Sequence, residues 1–176
     1  MSRNINSTYQ NAIAAAVVYP ADFVELYFAS GTLYLWSGIG NKSWSSQTWT
    51  GTGGLLSVSE FNESESLAAR SITIGLNGLS SSIVSLALAE TPYQGRTANI
   101  YKNIMSDATT SSTVAASYLV MEGKMSVLEW TDSGNTVDMT LEIEDKLNDL
   151  FRAREIRYTD QDQRVLFPSD NGLEYV

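Results

Sequence analysis

The chain has 20 Asp and Glu against 11 Lys and Arg, and neither His nor Cys. Proton chemistry would therefore fall to carboxylates. They cluster at Glu60, Glu63 and Glu65, and again at Asp160 and Asp162. Two carboxyls across a cleft lined with sugar-binding rings could hydrolyse a glycoside. Trp36, Trp44 and Trp49 supply rings on early strands and turns. A carbohydrate-binding or carbohydrate-cleaving module is accordingly the alternative reading. Asp160-Gln161-Asp162 offers two carboxylates of a calcium loop without its central Gly or distant Glu, so a solvated polar turn accounts for it. Gly51-Thr52-Gly53-Gly54 has no Lys-Ser/Thr pair behind it and reads as turn chemistry. Lys42-Ser43 has no supporting frame for Ser-Lys catalysis.

Missing residue types narrow the field further. Without His there is no ordinary base near neutral pH and no Ser-His-Asp triad. Without Cys there is no thiol nucleophile, disulfide or thiolate metal site. The expectation is a chain that is not an enzyme and uses no cofactor or metal. The net charge is -9, and of the scattered cations only Arg152, Arg154 and Arg157 lie close together. Tight phosphate binding needs clustered cations. An acidic surface suits one past which DNA must slide. No apolar run approaches about 18 residues, so no membrane anchor is expected. The Ala12–Val18 stretch has no basic leader, so it does not read as a signal peptide.

The elements that would position these residues follow from periodicity. Ile5, Tyr9, Ala12, Ile13, Ala16 and Val17 recur at helical spacing, with Asn6 or Ser7 as cap and Pro20 as stop. The period then changes to two. Phe23 to Phe28 and Thr32 to Trp36 read as a hairpin across Ala29-Ser30-Gly31. Gly38 to Ser46 reads as a turn and Gln47 to Thr50 as a short strand. Leu55 to Phe61 and Ser71 to Leu76 read as two more. A short helix is expected around Ile83, Leu86 and Ala87, capped by Ser80, Ser81 or Ser82 and closed by Pro92 and Gly95. Arg96 to Ile104 is the next strand, and Asp107 to Thr113 a polar surface loop. Tyr118 to Trp130 reads as a long strand or a hairpin, with Gly123 as bulge or bend. Thr136 to Ile143 alternates, with Val137, Met139, Leu141 and Ile143 on the inward face.

The predicted fold is mainly β: an antiparallel β-barrel or sandwich with a short N-terminal helix, one internal short helix and an extended C-terminal arm. The expected division is 1–20 as N-terminal helix, 21–145 as barrel and 146–176 as arm. From Asp145 onward the chain is charged, and from Arg154 its scattered apolar residues include the aromatics Tyr158, Phe167 and Tyr175.

Several stretches resemble a known family. They are VELYFASGTLYLWSG (Val24 to Gly38), SWSSQTWTGTGGLLSVSEFNE (Ser43 to Glu63), ITIGLNGLSSSIVSLALAETPYQGRTANIY (Ile72 to Tyr101) and, most specifically, REIRYTDQDQRVLFPSDNGLEYV (Arg154 to Val176). Together they are similar to the distal-tail and tail-tip hub proteins of long-tailed phages, and to the related hub of gene transfer agents. The resemblance implies a tail-tube type β-barrel forming a three-fold or six-fold ring around a channel for DNA. Its partners would be copies of itself, the tail tube and other tail-tip proteins. Its place would be the virion tail tip, assembled in the host cytoplasm. It assigns an assembly arm to Arg154, Arg157, Tyr158, Asp160, Asp162, Phe167, Pro168 and Tyr175. One departure is clear: larger hub relatives carry a cysteine-bearing, cluster-binding C-terminal portion, and this chain has no cysteine.

Overall fold

A computed structural model of the protein describes residues 5–29, 31–53, 56–59, 70–77, 93–109, 111–132, 137–148, 159–170 and 172. Helix α1 spans Ser7–Ile13. Nine strands follow: β1 (Tyr19–Tyr27), β2 (Thr32–Trp36), β3 (Asn41–Trp44), β4 (Gln47–Gly51), β5 (Leu56–Val58), β6 (Ser71–Asn77), β7 (Thr97–Met105), β8 (Val114–Asp132) and β9 (Val137–Asp145). A second helix, α2, spans Asp160–Leu166.

The strands form one sheet in the order β3-β4-β2-β1-β7-β8-β9-β6-β5. The pairings are antiparallel except β2 with β4, which run parallel through Leu35↔Thr50 and Trp36↔Gly51. The fold is mainly β as expected, but the barrel or sandwich is corrected to one mixed sheet. β3 and β5 end it, and among the described residues no ladder joins them. Closure depends on the tilt and register of all strands together, which local alternation does not encode.

One face of the sheet is aliphatic. Val24, Leu26, Leu35, Ile72, Ile74, Ile100, Met125, Met139, Leu141 and Ile143 are buried there in one cluster. Strand parity explains the set, because alternate residues share a face. Val24 opposes Ile100, Ile74 opposes Leu141, and Ile72 opposes Ile143. Parity along β7 puts Ile104 on this face too. There Tyr9 of α1 packs on Ile104 and Ala116, with its ring 5.5 Å from that of Tyr118. Helix α1 thus covers one end of the aliphatic face.

Several expected boundaries moved. Asn6 does cap α1, its side chain accepting from the Tyr9 amide at 2.7 Å. The helix ends at Ile13, however, and Pro20 lies near the start of β1, opposite Ile104. The missing N–H of proline costs little at a strand start. β3 occupies part of the expected Gly38–Ser46 turn. β8 is one strand of 19 residues, with no hairpin. A side chain at Gly123 would meet the Glu144 carbonyl at 2.4 Å, so this glycine permits close approach of β9. The register shifts fall instead between Ile100 and Tyr101 and between Ile104 and Met105 along β7, and between Met125 and Leu128 on β8. The expected internal helix around Ile83 lies outside the described residues.

Candidate functional site

The opposite face of β1, β2 and β7 is aromatic, and the β3–β4 hairpin closes it. Its turn is Ser45-Ser46, with φ of 53° and 61°. Trp44 pairs with Gln47 across it. Two-residue hairpin turns want such left-handed residues, normally Asn-Gly. The hairpin brings Trp49 onto the sheet, where it is fully buried. Ring centroids lie 4.9 Å from Trp49 to Phe23, 5.1 Å to Tyr34 and 5.2 Å to Trp44. Several contacts in the cluster are edge-to-face, a geometry that aligns positive ring edges with negative faces. Both buried indole donors are satisfied: Trp49 Nε1 donates to the Trp44 carbonyl at 3.0 Å, and Trp36 Nε1 to the Gly40 carbonyl at 2.8 Å. A side chain at Gly51 would strike the Gly38 and Gly40 backbone at 2.5 Å.

This geometry bears on the role of Trp36 and Trp49. Trp36 is 5% exposed and Trp49 not at all. A sugar platform needs open ring faces, and these two rings are buried, Trp36 against Phe23 and Trp49 against Phe23, Tyr34 and Trp44. The acids Glu60, Glu63 and Glu65 lie outside the described residues. Lys42 is buried, its Nζ bonded to the Ser112 carbonyl and 5.4 Å from the Trp36 ring centroid. It holds the Asp107–Thr113 loop against β3, so this loop is anchored at the buried Ser112 as well as solvated. Asp107 accepts from the Thr109 amide at 2.7 Å. Bonds from the Thr109 hydroxyl and amide, in that order, lower its pKa.

Beside the rings lies a polar group. Glu25 is 9% exposed. Its Oε2 accepts from Asn99 Nδ2 at 2.8 Å, the Tyr101 hydroxyl at 3.0 Å and the Tyr27 hydroxyl at 3.1 Å. Burial first, then the Glu25 charge, pushes the Tyr101 phenol up to about 12. The same causes raise Tyr27. The bonds from Asn99 and Tyr101 fasten β1 to β7 across the sheet, while Tyr27 donates from β1 itself. Asn103, fully buried on β7, has neither side-chain polar atom hydrogen-bonded among the described residues.

Of the expected arm residues, Arg154, Arg157, Tyr158 and Tyr175 lie outside the described residues. Asp160 and Asp162 begin α2, so the arm is helical there and not extended. Arg164 Nε bonds Asp160 Oδ1 at 2.9 Å within the helix. Gln163 Nε2 donates to Asp170 at 2.6 Å and folds the following turn back. Phe167 is 64% exposed and Val165 79%. Pro168 lies in the turn after the helix. At the opposite end of the chain, a cleft of about 490 Å³ opens where β1 and β7 meet the β2–β3 turn, with Tyr19, Ile39 and Asp107 in its walls. It joins residues from four separate segments, which no local pattern in the sequence connects. No helix among the described residues is long and apolar enough to cross a membrane.

No protein-family model matches the sequence, and no curated protein matches it. Among solved structures, the fold is similar to a chain from the virion of a native gene transfer agent (GTA) particle, with TM-score 0.68 and 14% identity. The likeness covers 88% of this chain and 49% of that one, so this chain spans about half its length. At this identity the likeness is one of fold.

Proposed function

We propose that this protein is a structural subunit of a phage-like virion. The fold likeness to a gene transfer agent virion chain carries the reading, because it extends over nearly the whole chain. More specifically, the protein forms a three-fold or six-fold ring at the distal tail or baseplate hub. It links the tail tube to tail-tip proteins and leaves a channel for DNA. The chain is not an enzyme in this reading.

Three features support the finer picture. The resemblance at Arg154 to Val176 is to tail-tip proteins. Among the described residues, β3 and β5 each pair on one side only, and such edges can join a neighbour's sheet. The net charge of -9 suits a lumen that repels DNA. The test is direct. Mass photometry of the purified chain at rising concentration should show closed rings, and tail-tip density should contain it. A strict monomer that is also absent from purified particles by mass spectrometry would sink the reading. Measurable turnover of a glycan substrate would sink the non-enzymatic part alone.

A further inference from the structure

A ring of identical subunits needs two different patches on each copy, one fitting the other. Two exposed apolar patches of this chain have that relation. The first is the cleft of about 490 Å³, whose walls include Tyr19, Trp36, Ile39, Met105 and Asp107. Ile39 on its lip is 69% exposed. The second is the end of α2, where Val165 and Phe167 face solvent. Phe167 therefore does not fill the cleft of its own copy.

Charge pairs the two patches. Arg164 stands one turn before Phe167, 43% exposed at its side chain, and pairs with Asp160 of its own helix. The cleft wall carries a carboxylate, Asp107, and no Lys or Arg. Lys42 is buried with its Nζ on the Ser112 carbonyl, and its charge also acts on Asp107 from within the same copy. An aromatic residue with an arginine one turn away is the kind of anchor that dominates interfaces, seated in an apolar pocket with a charged rim. A cleft of this size accommodates one ring and its neighbours.

We propose that Phe167 of one copy seats in the Tyr19–Ile39 cleft of the next, with Arg164 drawn to Asp107. The contact joins unlike surfaces, so it repeats head to tail and closes when the rotation allows. The inference rests on the ring reading and deepens it by naming the joint.

The cysteine-free chain makes the experiment clean. Full-length Ile39→Cys and Phe167→Cys chains are mixed and oxidised under conditions where the wild type assembles. Held within disulfide reach, the unlike pair cross-links at least about tenfold faster than either variant alone, because docking raises the local thiol concentration. The double variant gives a ladder of covalent oligomers. Phe167→Ala weakens assembly at least about tenfold without moving the urea midpoint measured on dilute monomer. A double variant that closes only upon itself as a monomer overturns the proposal in favour of docking within one chain. Rings that form without the unlike cross-link overturn it too, and leave the ring reading standing. A chain that stays monomeric and is absent from particles defeats both.

Discussion

The two faces of the sheet solve burial in different ways. The aliphatic face is made of Val, Leu, Ile and Met from seven strands, spread along the whole ladder. The aromatic face is local: Phe23, Trp36 and Trp49, with Tyr34, Trp44 and Tyr101 packed beside them, over β1, β2 and β7. On the first face each strand contributes by parity, and no single residue organises the rest. On the second, one hairpin carries the lid, and Trp49 is its keystone. The comparison teaches that distributed cores tolerate small changes, while a lidded core depends on the residue that seats the lid.

Equilibrium urea unfolding should break the comparison most sharply at Trp49. Trp49→Ala is expected to cost about 3–5 kcal/mol, from lost transfer energy and the cavity left behind. The exposed Trp130 is the control, and Trp130→Ala should stay within about 0.5 kcal/mol. On the aliphatic face, Ile143→Ala should cost about 2–5 kcal/mol. The volume-conserving Met125→Leu should cost less than about 1.5 kcal/mol. Equal tolerance of swaps on both faces would contradict the distinction. Asn103→Leu should stabilise by about 1 kcal/mol, because it removes buried polar atoms without partners and roughly keeps volume. A destabilised variant would mean that this side chain is satisfied after all.

Ser45→Asn with Ser46→Gly should add about 1 kcal/mol, by relieving two left-handed serines. The smallest effect concerns pH. Tyr101 has a folded pKa above its unfolded value near 10. Its contribution is therefore fully present below about pH 10 and is lost as pH rises towards 12. In the alkaline unfolding profile, Tyr101→Phe should flatten the fall between those values. Glu25→Gln should bring the phenol's absorbance titration down only in part, since burial is the larger cause.

The aliphatic face was largely legible. Met139, Leu141 and Ile143 alternate in β9 as read, the β1–β2 hairpin is present with β1 starting earlier at Tyr19, and the cap falls on Asn6, one of the two candidates Asn6 and Ser7. The aromatic face was not. Its lid turns on Ser45-Ser46, which lacks the Asn-Gly signal, so β3 read as loop. Whether Trp36 and Trp49 are open platforms or packed rings depends on that lid, which local pattern does not report. Helix α2 was missed for another reason. Seven residues give too short a window for helical periodicity, and the Asp160–Arg164 and Gln163–Asp170 pairs that hold it are contacts of side chains. The arm residues that sequence singled out are brought together only at Asp160 to Pro168 among those described.

The pairing of β1 with β7 also has a consequence in time. Tyr19 meets Met105 across 86 positions of chain (105 − 19). At about 5–20 residues per second, a ribosome needs roughly 4–17 s to supply that partner. Until then the newborn chain holds the β1–β2 hairpin, whose two strands alone are marginal in water, with Phe23 and Val24 lacking the β7 neighbours that help bury them. Synthesis rate, as much as sequence, thus sets how long this sheet stays half made and open to the wrong neighbour.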